Sequence, residues 1–135
     1  MQTKKDSKLV RAVLVILLVE KIIQHLFTAI AFIYDIPGIG TPDIGTRFEI
    51  SNPVMAMSNA VLVLLFGVAI WGISRNRRWA IILVFLLATF DIVAEFVFHF
   101  FFFITFSVIV SLVLIIVLMR YRSEKSNWEM SWYFT

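Results

Sequence analysis

WAIILVFLLATFDIVAEFVFHFFFFITFSVIVSLVLIIVLM, residues 79–119, is the stretch on which the architecture turns. It is 41 residues long and contains neither Gly nor Pro. As a single helix it would measure about 60 Å, roughly twice the hydrocarbon thickness of a bilayer. The chain must therefore double back within it. Phe100–Thr105 is the expected place, giving two spans at about 79–100 and 104–120.

The rest of the chain extends this reading. Of 135 residues, 61% are hydrophobic and only 16% charged, with a mean hydropathy of +0.93. A soluble domain of this size could not bury so much apolar surface, whereas lipid makes burial unnecessary. Two further apolar runs, about 9–33 and 53–74, are long enough to cross a bilayer. The first follows a basic segment, as a signal peptide would. It is too long for a signal core and no small-residue cleavage site follows it, so it reads as a retained helix.

The expected fold is all-α: a polytopic membrane protein forming a four-transmembrane-helix bundle. A single membrane domain covers 1–125, and an aromatic tail covers 126–135. In that tail Trp128, Trp132 and Tyr133 suit anchorage at the membrane interface or docking of a partner. The connection 35–52 holds Pro37, Pro42 and three of the five glycines, so it cannot be regular helix. Asn52 before Pro53 reads as the start of the second helix. It offers a capping side chain, followed by a residue lacking an N–H where none is needed.

Charge sets the expected orientation. Lys4, Lys5, Lys8 and Arg11 precede the first span, Arg75, Arg77 and Arg78 join the second and third, and Arg120, Arg122 and Lys125 follow the fourth. Ten of the 12 basic residues thus fall on one side of a four-span chain, the side expected to be cytoplasmic together with both termini. The net charge of +3 is then a membrane-surface pattern and excludes a nucleic-acid partner. With no cysteine, there is no disulfide, thiolate metal site, cysteine nucleophile or thioether-linked haem.

Within the greasy spans the polar residues fall on helical faces. Asp91, Glu95 and His99 are spaced four apart and share one face of the third helix. On the first, Glu20, Lys21, Gln24, His25 and Thr28 lie within an arc of about 140°. Measured from Arg11 and Trp79, Glu20 lies about 14 Å into the membrane, Lys21 about 15 Å and His25 about 21 Å. Asp91 lies about 18 Å in, Glu95 about 24 Å and His99 about 30 Å. Asn59, near the outer start of the second helix, joins them. Ser107 and Ser111 read as small residues that let helices approach closely.

An ionisable group at mid-bilayer costs roughly 2.5–3.5 kcal/mol on insertion scales, so these residues are expected to face inward and satisfy one another. With neutral histidines, Glu20, Asp91, Glu95 and Lys21 sum to −2. Protonated carboxylates, protonated histidines or a bound cation would neutralise that. The candidate ligand- or proton-binding set is therefore Glu20, Lys21, Gln24, His25, Asn59, Asp91, Glu95 and His99. Asp35, Asp43 and Glu49 in the outer loop could draw a cation to its mouth, although solvated loop acids are the ordinary explanation.

Several functions stay open. The set could bind or relay protons, cations or a small ligand. Because four spans are thin for a pathway, the chain would then work in a homo-oligomer or with other membrane subunits. It could instead be packing glue in a structural subunit, although interhelical hydrogen bonds in membranes average only about 0.6 kcal/mol. His25, Asp91, Glu95 and His99 offer nitrogen and oxygen donors to a divalent metal, at a spacing that matches no established motif. Haem is disfavoured because His25 and His99 differ in height by about 9 Å. An acid–base enzyme acting on a lipid-like substrate is the last class, with no nucleophile or phosphate-binding motif to support it.

Overall fold

The computed structural model describes residues 4–34, 51–98 and 106–131, with side chains placed over 7–34, 51–97 and 106–123. It contains four helices: α1 (Lys4–Ile33), α2 (Asn52–Ser74), α3 (Arg78–Phe98) and α4 (Phe106–Ser131). Each is long and apolar enough to cross a membrane. The expected outer loop, the α3–α4 reversal at Phe100–Thr105 and His99 all lie outside the described residues.

The helices form a ring. α1 packs on α2 and α4, and α3 packs on the same two. Helices 1 and 3, which carry the charged stripes, are therefore diagonal partners across the bundle axis, not neighbours. Asn76, in the α2–α3 turn, accepts a hydrogen bond from Tyr121 Oη at 2.9 Å and one from Arg11 Nη1 at 3.5 Å. These contacts gather the start of α1, the α2–α3 turn and the late part of α4 at one end. Successive helices are thus antiparallel.

That turn is closed by local chemistry. Arg77 N–H donates to Gly72 C=O at 2.8 Å and Asn76 N–H donates to Ile73 C=O at 3.0 Å. This bond pair closes a helix on a left-handed residue. Asn76 is that residue, at φ 54°, where asparagine is among the few side chains tolerated.

Two helix ends differ from expectation. α2 begins at Asn52 with Ser51 as its N-cap, so Asn52 is the first helical residue and does not cap. Val54 N–H and Met55 N–H both donate to the Ser51 carbonyl, and Ser51 makes no side-chain cap bond. α4 continues to Ser131 through much of the segment expected as a tail. The sequence past Met119 is charged but contains no Gly or Pro, and charge marks the end of the apolar run, not the end of the helix.

Large apolar side chains such as Ile16, Leu64, Ile82 and Ile116 face outward with more than 60% of their surface exposed. That is a liability in water and the normal condition in lipid. Inside, all four helices contribute to one apolar cluster: Leu14 and Leu18 from α1, Phe66 and Ile73 from α2, Val84 and Ala88 from α3, and Leu114 and Leu118 from α4. It occupies the half of the bundle nearer the arginine-rich end. α2 and α3 meet closely there because Gly72 has no side chain. A Cβ on Gly72 would lie 2.6 Å from Ala80 Cβ and 2.8 Å from Trp79 Cη2.

Gly72→Ala should therefore push α2 from α3 and lower stability by about 1–3 kcal/mol, read as a lower thermal midpoint in detergent. Gly67→Ala, with nothing within 4 Å of the added Cβ, should leave that midpoint unchanged or higher. Equal midpoints in the two variants would contradict the packing.

Candidate functional site

Directly above the apolar cluster lie five buried polar residues: Lys21 and His25 of α1, Asn59 of α2, Asp91 of α3 and Ser111 of α4. The centre is an ion pair. Lys21 Nζ lies 2.6 Å from Asp91 Oδ2, with Lys21 0% exposed and Asp91 8%. The long lysine stem spans the diagonal between α1 and α3.

The other hydrogens of Lys21 and the rest of Asp91 Oδ2 are also used. Lys21 Nζ donates to Gln24 Oε1 at 3.0 Å and to Ser107, whose carbonyl and Oγ lie at 2.9 and 3.0 Å. Asp91 Oδ2 additionally accepts from Ser111 Oγ at 2.8 Å and from Ser107 Oγ at 3.3 Å. An ammonium has three hydrogens, and here each has an acceptor. A buried pair is tolerated when its remaining hydrogen-bonding capacity is filled in this way.

His25 is built differently. Its ring stacks on Phe66, with centroids 5.5 Å apart and planes inclined by 18°. Its Nδ1 lies 2.8 Å from Asn59 Oδ1. Asn59 Nδ2 donates to the Met55 carbonyl at 2.9 Å, which fixes the amide so that Oδ1 faces the imidazole. An amide oxygen only accepts, so Nδ1 carries the hydrogen. Nε2 faces Asp91 Oδ1 at 3.4 Å and is buried without a hydrogen-bond partner. A bare lone pair held against a carboxylate is repelled, whereas a proton on Nε2 turns the contact into a second ion pair.

Lys21, Gln24, His25, Asn59 and Asp91 are thus joined as one network. Glu20 lies at its edge, half-buried, with Oε2 enclosed and without a hydrogen-bond partner. Glu95 is half-buried one turn beyond Asp91, while Lys21 and His25 both turn to Asp91 as their carboxylate. Thr28 bonds its own helix, to the Gln24 carbonyl at 2.9 Å. His99, Asp35, Asp43 and Glu49 lie outside the described residues.

Three participants escaped the sequence reading in their roles. Ser107 and Ser111 are not mere spacers but donors to Asp91, and Phe66 is the platform for His25. A signal for the serines was present. Counted back from Arg120, Ser111 lies about 14 Å into the membrane and Ser107 about 20 Å, bracketing the depth of Asp91. Nothing in the sequence marked Phe66 among 14 phenylalanines.

Among the described residues no three His, Asp or Glu side chains gather as a ligand group, and the Lys21 ammonium lies against Asp91 Oδ2; His99, the fourth candidate metal ligand, lies outside the described residues. Comparison with protein-family models, curated proteins and solved structures found no match.

The pair itself can be tested. Lys21→Met leaves Asp91 buried without its counter-charge and should cost about 3–5 kcal/mol in unfolding free energy measured in mixed micelles. Adding Asp91→Leu should restore most of the loss. Independent, additive losses would show that the two residues do not share one bond.

Proposed function

We propose that this four-helix membrane protein takes up and releases a proton at His25, opposite Asp91, and that this protonation drives its work within an assembly of like or other membrane subunits. The observation that carries the reading is the His25 Nε2–Asp91 Oδ1 contact, 3.4 Å long and enclosed, which lacks only a proton to become favourable. Imidazole is the side chain whose ordinary titration lies nearest neutral pH, and ionisable groups held inside a membrane commonly serve proton chemistry. Lys21 is the fixed counter-charge. It balances Asp91 when His25 is neutral, so loading the proton changes the charge of the Lys21–Asp91–His25 trio from zero to plus one.

A proton suits the site better than a metal or an alkali cation, because the lysine ammonium fills the place beside Asp91. The apolar cluster beneath the network separates it from the arginine-rich end, so access is from the opposite end. By the positive-inside tendency the arginine-rich end is cytoplasmic and the proton arrives from the outer side.

One specific observation favours a second reading, that of a structural subunit. The Lys21 ammonium and Asp91 Oδ2 are fully bonded, as interhelical glue would be. The readings part at His25, which glue would not require.

The measurement is proton uptake by the chain in lipid nanodiscs as the pH is lowered. His25→Gln should take up one proton fewer than the parent chain. Asp91→Asn should show the same deficit although that substitution removes no histidine, because His25 then faces only the Lys21 ammonium. Uptake by Asp91→Asn equal to the parent would refute the proton reading and leave the structural one.

A further inference from the structure

The proton reading leaves open whether His25 passes protons through its ring or merely holds one. A proton wire through histidine receives a proton on one nitrogen and gives it up from the other, so both nitrogens must be free to exchange. The geometry around His25 denies this. Nδ1 is committed to Asn59 Oδ1 at 2.8 Å, and the Asn59 amide is itself pinned by its 2.9 Å bond to the Met55 carbonyl. Turning the imidazole over within its plane would replace Nδ1 by a C–H against Asn59 Oδ1 and forfeit that bond, and turning the amide over would set Nδ2–H against Nδ1–H and Oδ1 against the Met55 carbonyl.

Resting on the proton reading of this site, we propose that Asn59 is a positioning residue that locks neutral His25 as its Nδ1–H tautomer, so that Nε2 alone loads and unloads. The cluster is then a one-proton switch and not a proton conduit. The step balances simply. One proton from water adds to the Nε2 lone pair, and the N–H formed donates to Asp91 Oδ1; reversal returns the proton to water by the same nitrogen.

The surroundings agree. Among the described residues, the charged groups on the elements that carry the site are Glu20 and Lys21 on α1 and Asp91 and Glu95 on α3, while α2 and α4 bring the neutral polar groups Asn59, Ser107 and Ser111. On the arginine-rich side, the rise per residue places Leu18, Ala88 and Leu114 about one turn below Lys21, Asp91 and Ser111. All three are fully buried, so the described residues form an apolar layer there. A blocked second nitrogen and an apolar floor both permit loading from one side only.

The inference is tested by nitrogen NMR on the full chain in bilayers, labelled at histidine. The two histidines are told apart by repeating the spectrum with His99→Gln. At a pH where His25 is neutral, the hydrogen-bearing nitrogen should be Nδ1, and Nε2 should show the unprotonated shift. Asn59→Leu should move the population toward the Nε2–H form, while Asn59→Asp, which still accepts from Nδ1, should keep the Nδ1–H form. A structural role for Asn59 would lower stability without moving the tautomer.

In liposomes under an imposed pH gradient, the parent chain should add no proton conductance above protein-free vesicles. A neutral His25 found as Nε2–H, a tautomer unmoved by Asn59→Leu, or a steady proton leak through the parent chain would each overturn the proposal. Should Asn59→Leu fail to fold, the parent tautomer and Asn59→Asp still decide it. Loss of the lock with uptake intact sinks the switch alone. An intact lock with uptake unaffected by Asp91→Asn sinks the proton reading instead.

Discussion

A charge has no cheap place inside a bilayer. Each ionised group near its centre costs several kcal/mol unless another group answers it. Lys21 and Asp91 answer each other at 2.6 Å across the diagonal of the bundle, and much of the remaining architecture can be understood as the surroundings this bond requires. It needs helices 1 and 3 on opposite sides of a ring, close enough for one lysine stem to span. It needs helix 4 to supply the Ser107 carbonyl and the hydroxyls of Ser107 and Ser111.

The same bond explains why His25 differs from its neighbours. Lys21 and its serine partners take Asp91 Oδ2, leaving Oδ1 facing the imidazole with nothing between them. One carboxylate thus carries a permanent contact on one oxygen and a conditional contact on the other. The Lys21 contact supports the fold, and in the proposed function the imidazole contact responds to protons. On that proposal, dividing the roles between two oxygens lets the site change charge while the Lys21 bond on Oδ2 keeps the helices fastened.

Much of this was legible in the sequence. The 41-residue apolar stretch forced a reversal, and the charge distribution demanded an even number of spans. Helical rise alone placed Lys21, His25 and Asp91 at similar depth, and periodicity turned them inward; the structure joins all three. What was not legible depends on pairing between helices. That helices 1 and 3 lie diagonally and not side by side, that Asp91 and not Glu95 receives the lysine, and that Phe66 supports the imidazole are products of packing. Composition cannot distinguish two acids one turn apart. The serines of helix 4 fall between these cases, since their depth could be counted but their donor role emerged only with Asp91 beside them.

The ionised carboxylate at Asp91 is the premise beneath both the fold and the switch, and infrared difference spectroscopy of the chain in lipid reads it directly. Subtracting the Asp91→Asn spectrum from that of the parent at neutral pH should isolate one carboxylate stretch, which Lys21→Met should convert to the carbonyl stretch of a protonated acid. A protonated-acid band in the parent, or a carboxylate band indifferent to Lys21→Met, would contradict the account at its root.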